Sequence, residues 1–152
     1  MKKSLILFIF SLFLWSCQSD DTTATSITPI ETTLIGKGNL YGGSSQDMNQ
    51  QNLVITNETE LNDFLNLLDP VNNISGYFNE TDINFTEFTL IIAIDEIRPS
   101  GGHELGIDVN TDNEIIFVTV TSISPQGQAT TVLTQPYHIV KIPKSTLPII
   151  FQ

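Results

Sequence analysis

Cysteine is nearly absent: Cys17 is the only one in 152 residues. One thiol cannot close a disulfide within its own chain, so the fold must be held by other forces. Basic residues are scarce as well, six Lys and Arg against seventeen Asp and Glu, for a net charge of −11. A surface of that sign repels nucleic acid, whose binding needs a basic footprint. Two histidines, His103 and His138, leave a zinc site short of its three or four ligands. No G-x-S-x-G elbow is present, neither histidine has a recognisable serine partner, and no glycine-rich turn leads from a strand into a helix. The adjacent acids Asp95 and Glu96 would face opposite ways on a strand, which is a poor start for an acid/base pair. These absences point away from an enzyme.

Long apolar runs are missing too. The most apolar stretch, residues 4–15 (SLILFIFSLFLW), is well short of the roughly twenty residues that span a bilayer. Lys2 and Lys3 precede it, and the small Ser16 and then Cys17 follow it. A basic start, a short apolar core and a small residue make a secretory signal that is removed. Leu14-Trp15-Ser16-Cys17 resembles a bacterial lipobox, although Trp15 is bulkier than is usual there. The expectation is a signal peptide over 1–16 and a Cys17 carrying diacylglycerol and an N-acyl chain. The alternative is a free cysteine in an uncleaved segment. Each buried methylene contributes about 0.8 kcal/mol and stable anchoring takes more than one chain, so a multiply acylated cysteine needs no transmembrane helix.

Gln18-Ser19-Asp20-Asp21 resembles the acidic signals that send some lipoproteins to the outer face of the outer membrane, and it is also an ordinary polar linker. Asp21-Thr22-Thr23 looks like an O-glycosylation site of such bacteria. Loss of Lys2 and Lys3 with the signal would take the net charge to −13 over residues 17–152. That surface favours solubility and cation binding and disfavours a second, electrostatic membrane contact. Residues 17–30 are Thr, Ser and Asp rich and read as a flexible tether, and 31–152 as a single domain.

Leu34, Ile35 and Leu40 suggest a first strand ended by Tyr41-Gly42-Gly43, and 52–55 a short second one. Asn57 followed by Glu60 is a capping box. Leu61, Phe64, Leu65 and Leu68 then fall on one helical face, and Asp69-Pro70 reads as the stop. Residues 88–94, FTLIIAI, suggest a central strand covered on both faces. Leu105, Ile107 and Val109 alternate with polar or small residues, so that strand has one wet face. Strands follow at 115–120, 130–133 and 137–142, with Pro136 placed at an edge or bulge. The fold class is α+β and mostly β: an antiparallel sheet or small sandwich with one packed helix at about 57–68.

Two segments are candidate sites. Asp108, Asn110 and Asp112 place oxygens at alternate positions, as a calcium loop requires, but Asn113 and Thr119 stand where that loop needs Gly and Glu. A hairpin turn, which favours Asn and Asp, explains the same residues. Arg98-Pro99-Ser100-Gly101-Gly102-His103 joins two strands and carries an isolated cation. It reads either as a partner-binding loop or as a tight connection that needs glycine freedom.

From the helix near Leu61 to about Lys144 the sequence resembles the PrcB C-terminal domain family, named for a subunit of a bacterial surface protease complex. Arg98 to His103 resembles the family's K-P-T/S-G-G-Y turn, with His103 in place of the usual Tyr. Pro136-Tyr137-His138-Ile139-Val140-Lys141-Ile142-Pro143 resembles its P-Y-x-I-V-x-I-P ending. The resemblance implies an envelope lipoprotein that binds, stabilises or presents an extracytoplasmic protease, with no catalytic residues and no cofactor. Rival readings are a protease inhibitor built on the Pro-Ser-Gly-Gly loop and a calcium or glycan module built on the acidic turn. A solute-binding, enzyme-like role stands further off.

Overall fold

The computed structural model describes residues 26–41 and 48–152. The signal segment, Cys17, the acidic run after it and most of the tether lie outside the described residues. The strands are β1 (Thr28–Pro29), β2 (Thr33–Tyr41), β3 (Gln51–Ile55), β4 (Phe88–Ile94), β5 (Glu104–Thr111), β6 (Ile116–Ile123), β7 (Thr134–Pro143) and β8 (Ile149–Phe151). Helix α1 (Glu58–Asn72) and a 3-10 turn (Ile74–Tyr77) lie between β3 and β4.

Two four-stranded sheets form, ordered β2-β7-β4-β3 and β1-β5-β6-β8. Every pairing is antiparallel except the parallel β6–β8 pair. The mostly β class with one packed helix therefore holds, as a sandwich with α1 on the outer face of one sheet.

Strand β4 is the reason for three layers. Its side chains alternate between faces and are apolar on both. Leu90, Ile92 and Ile94 pack with Leu61, Phe64 and Leu68 of α1. Ile91 and Ala93 pack with Leu105, Ile107, Val109, Ile116 and Val118 of the other sheet. On β7, Tyr137 and Ile139 join the helix-side core, while Val140 and Ile142 join the core between the sheets. On β5 the alternation is as expected, with Leu105, Ile107 and Val109 buried and Asp108 exposed.

Four features differ from the sequence reading. Thr28 and Pro29, placed in the tether, pair with Thr111 and Asn110 as β1. The short β8 has no periodicity long enough to read. Helix α1 runs past Asp69-Pro70 to Asn72. Pro70 sits in the last turn, where it forfeits one bond, while buried Leu68 and Ile74 hold the chain on either side. Asn73 then closes the helix in the left-handed region (φ 48°), donating its N–H to the Asp69 carbonyl at 3.0 Å.

The fourth correction concerns Pro136. Residues 130–133 are not a strand, and β7 runs unbroken through Pro136 between β2 and β4. The Pro136 carbonyl accepts the Asp95 N–H at 2.9 Å. The return bond, from residue 136 to the Asp95 carbonyl, cannot form because proline has no N–H. The Gln135 side chain supplies it instead, Nε2 donating to that carbonyl at 2.9 Å. A neighbouring amide thus lets proline lie in an inner strand, at the point where β4 ends.

Candidate functional site

The Arg98–His103 connection begins at the end of β4, where an apolar run gives way to Asp95. That carboxylate is buried, and Arg98 forks onto it with Nε 3.0 Å from Oδ2 and Nη2 2.9 Å from Oδ1. Ser122 of β6 donates to Asp95 Oδ2 at 3.1 Å and accepts from Arg98 Nη2 at 2.9 Å. The Glu96 backbone N–H adds a bond to Asp95 Oδ1 at 2.9 Å. A buried carboxylate persists only when paired and hydrogen-bonded, and here a two-pronged guanidinium supplies most of that. Because Asp95 directly follows β4 of one sheet and Ser122 lies on β6 of the other, the cluster ties the sheets together.

Arg98, an isolated cation in the sequence, has its guanidinium engaged by Asp95, Ser122 and Glu96. Its side chain is 23% exposed and also meets Glu96 at 2.9 Å. Asp95 and Glu96, set aside as an acid pair, are both ligands of this arginine. An acid at the end of an apolar run with Arg three residues on was the available signal.

The rest of the loop is stitched to the segment before β7. Arg98 and Thr134 exchange backbone bonds at 2.7 and 3.1 Å. Gly101 donates to the Thr130 carbonyl at 2.9 Å, and Thr134 Oγ1 donates to the Ser100 carbonyl at 2.9 Å. A Cβ at Gly101 would lie 2.4 Å from Thr130 Oγ1. Gly102 has φ +81°, and a Cβ there would lie 3.0 Å from Pro125. Both glycines are thus required by the connection itself. Ser100 Oγ lies 3.1 Å from His103 Nε2, while His103 Nδ1 is buried with no hydrogen-bond partner among the described residues. Pro99 is exposed. The structure brings the six residues together in one connection packed on 125–134, with Gly101 buried, Arg98, Ser100 and His103 partly buried, and Pro99 and Gly102 exposed.

His138, on β7, is half-buried with Nδ1 2.8 Å from the Leu105 carbonyl. Burial holds its imidazole below the usual histidine range, Lys37 adds to that, and the Leu105 bond and Glu104 partly oppose it. Lys37 bridges to Glu104 at 2.7 Å across the sheets.

The acidic turn is a hairpin end. Asp112 Oδ1 accepts the N–H groups of Glu114 and Ile115 at 3.0 and 2.8 Å, bonds that hold its carboxyl below the usual range. Asn113 takes φ 72°. Asp108 lies exposed on β5 opposite Thr119, and Asn110 pairs with Phe117. Among the described residues no three His, Cys, Asp or Glu side chains converge as metal ligands. Asp108 and Asn110 sit on β5, and Asp112 lies in the turn with its carboxylate engaged by turn amides.

Two clefts flank the helix-covered sheet. One of about 570 Å³ lies between the β2 end, the helix end and residues 132–134, and is walled by Tyr41, Tyr77 and Tyr137. The other, about 360 Å³, lies between β3 and α1 and is lined by Leu53, Ile55, Phe64, Leu67, Glu60 and Asp63. Sequence reasoning found neither, since each depends on which strands end up at the sheet edges.

No curated protein and no solved structure matches the chain. A family model described as PrcB C-terminal matches residues 89–143. The matched segment opens in β4, spans the Asp95–Arg98 cluster, the glycine connection and the β5–β6 hairpin, and closes at the end of β7. It holds the buried residues of the core between the two sheets. Residues 89–143 thus form a segment similar to the PrcB C-terminal family.

Proposed function

We propose that this protein is a non-enzymatic lipoprotein of the bacterial envelope, anchored through acyl chains on Cys17, most simply in the outer membrane. Its β-rich domain binds a partner protein, an extracytoplasmic protease that it stabilises or presents. The observation that carries this reading is the family match over residues 89–143. The lipobox-like Leu14-Trp15-Ser16-Cys17 supports the anchor, and the acidic balance supports a protein partner over nucleic acid.

The sequence reading placed the contact on Arg98 to His103 together with an exposed sheet edge. Arg98 folds onto Asp95 and Gly101 is buried, while Pro99 and Gly102 stay exposed, so the loop still presents surface of its own beside the sheet edges. The test is copurification of the intact lipoprotein from its native envelope after crosslinking. Enrichment of a protease whose activity persists in the complex supports a stabilising subunit. Suppressed activity supports the inhibitor reading instead. Absence of any specific partner refutes both.

A further inference from the structure

The two edges of the helix-covered sheet are finished differently. Strand β2 is obstructed. It carries a register shift between Leu34 and Gly36 and a lysine, Lys37, at its middle. The Asn79 N–H donates to the Ile35 carbonyl at 2.8 Å, and Asn79 Nδ2 donates to the Leu34 carbonyl at 3.2 Å. At its far end the Tyr41 N–H is taken by Asn72 Oδ1 at 2.7 Å. Bulges, lysines and covering segments are what keep a sheet edge from pairing with another chain.

Strand β3 has none of these. Gln51-Asn52-Leu53-Val54-Ile55 contains no charge and no proline, and its register with β4 is regular. Among the described residues it pairs with β4 alone, and its backbone bonds to no other element. Its outer row of N–H and C=O groups, about 17 Å long at the usual rise per residue, faces away from the sheet.

Beside this edge lies the 360 Å³ cleft. Leu67 projects into it from α1 and is 48% exposed, an apolar side chain that the core does not use. Glu60 and Asp63 also line it, and no Lys, Arg or His does. The site thus joins unpaired backbone, an apolar recess and charge of one sign.

We propose that β3 and this cleft receive an extended segment of a partner protein, which adds a fifth strand to the sheet. This is β-augmentation, in which main-chain bonds give affinity and pockets for alternate side chains give specificity. Side chains two apart on a strand share a face. On the helix-facing side, an apolar residue enters the cleft against Leu53 and Leu67. The next residue on that face is Lys or Arg and meets Glu60 or Asp63. The proposal rests on the partner-binding reading and names the surface and chemistry it would use.

The test uses the full-length chain in detergent and the peptide Val-Thr-Lys-Thr-Val-Thr-Lys-Thr, with its lysines replaced by glutamate as control. Amide exchange is followed by mass spectrometry. The expected result is at least tenfold slower exchange across 51–55, little change across 33–41, and no effect of the glutamate peptide. Asp63→Lys and Leu67→Lys, both at exposed positions, should each weaken binding tenfold or more with unchanged melting. No protection of 51–55 at millimolar lysine peptide overturns the proposal, as does equal protection by the glutamate peptide. A photocrosslinker at position 67 in the native envelope separates this site from the wider reading. A partner captured by the intact protein but never from position 67 refutes the β3 site and leaves partner binding standing. Peptide protection with no partner captured from any position refutes the partner reading while the β3 edge stands as a peptide-binding strand.

Discussion

Gln135 and Asp95 are joined by a bond that the backbone ladder cannot make. Gln135 Nε2 donates at 2.9 Å to the Asp95 carbonyl, the acceptor that Pro136 leaves unserved. Gln135 is 1% exposed, and its Nε2 also donates to the Met48 carbonyl. Gln135→Ala would leave buried carbonyls without donors, at about 1–3 kcal/mol for such a group. Urea unfolding measures it. The account expects a loss in that range, with Gln135→Glu at least as damaging because it brings an acid against the same carbonyls.

Arg98→Ala strands the buried Asp95 carboxylate. Breaking a buried pair from one side costs about 3–5 kcal/mol. The double variant Asp95→Ala with Arg98→Ala should lose clearly less than the sum of the two single changes, because no lone charge remains. A double-mutant cycle by chemical denaturation gives the coupling directly. Additive losses would mean that the pair is incidental.

The glycines allow a sharper comparison. Gly102 and Gly127 both have positive φ, +81° and +101°, but only Gly102 faces a neighbour, Pro125, while nothing lies within 4 Å of a Cβ at Gly127. Left-handed backbone costs a non-glycine residue about 1–2 kcal/mol. Gly127→Ala should show that loss alone, and Gly102→Ala more. Thermal melts of the two variants check the order.

Much of the fold was legible where one residue type dominated a whole element. β4 is apolar on both faces and lies inside, β5 alternates and has one wet face, and Asn57 caps α1 with its side chain on the Glu60 N–H at 3.0 Å. Even there the return bond departs from the simple box, since Glu60 reaches the Thr56 N–H at 2.8 Å. Pro70 and Pro136 were misread for one shared reason. Proline removes a donor, but whether that ends an element depends on what else is near, and Gln135 or the packing of Leu68 is a tertiary fact. Arg98 looked free because Asp95 was weighed only against its neighbour Glu96 and not against the arginine three residues on. The Asp108 to Asp112 spacing could not by itself distinguish cation ligands from turn amides. An exposed sheet edge was expected as a contact surface, but that β3 is the open edge was not legible, because sequence order does not say which strand is outermost.

His138 sets a pH dependence. Its folded pKa lies below the unfolded value, with burial the largest cause. The unfolded chain therefore binds the extra proton first, and stability falls as pH drops through the ordinary histidine value of about 6.5. Stability measured from pH 7.5 to 5.5 should decline, and His138→Gln should flatten that slope. Glu60, Glu104 and Asp112, all shifted downward, contribute only at lower pH, below the ordinary carboxylate values near 4.

The anchor has its own test. Cys17→Ala should abolish incorporation of a labelled fatty acid and move the protein from the detergent phase to the aqueous phase. Retained label would place the acyl chain elsewhere and remove the lipobox reading.

The most direct measurement of the central claim is crosslinked copurification of the full-length protein from its native cells, with mass spectrometry of what it carries. The account predicts a specific extracytoplasmic protease, present with the acylated protein and reduced when Leu67 is changed to Lys. Recovery of no partner above an unrelated lipoprotein control would contradict it.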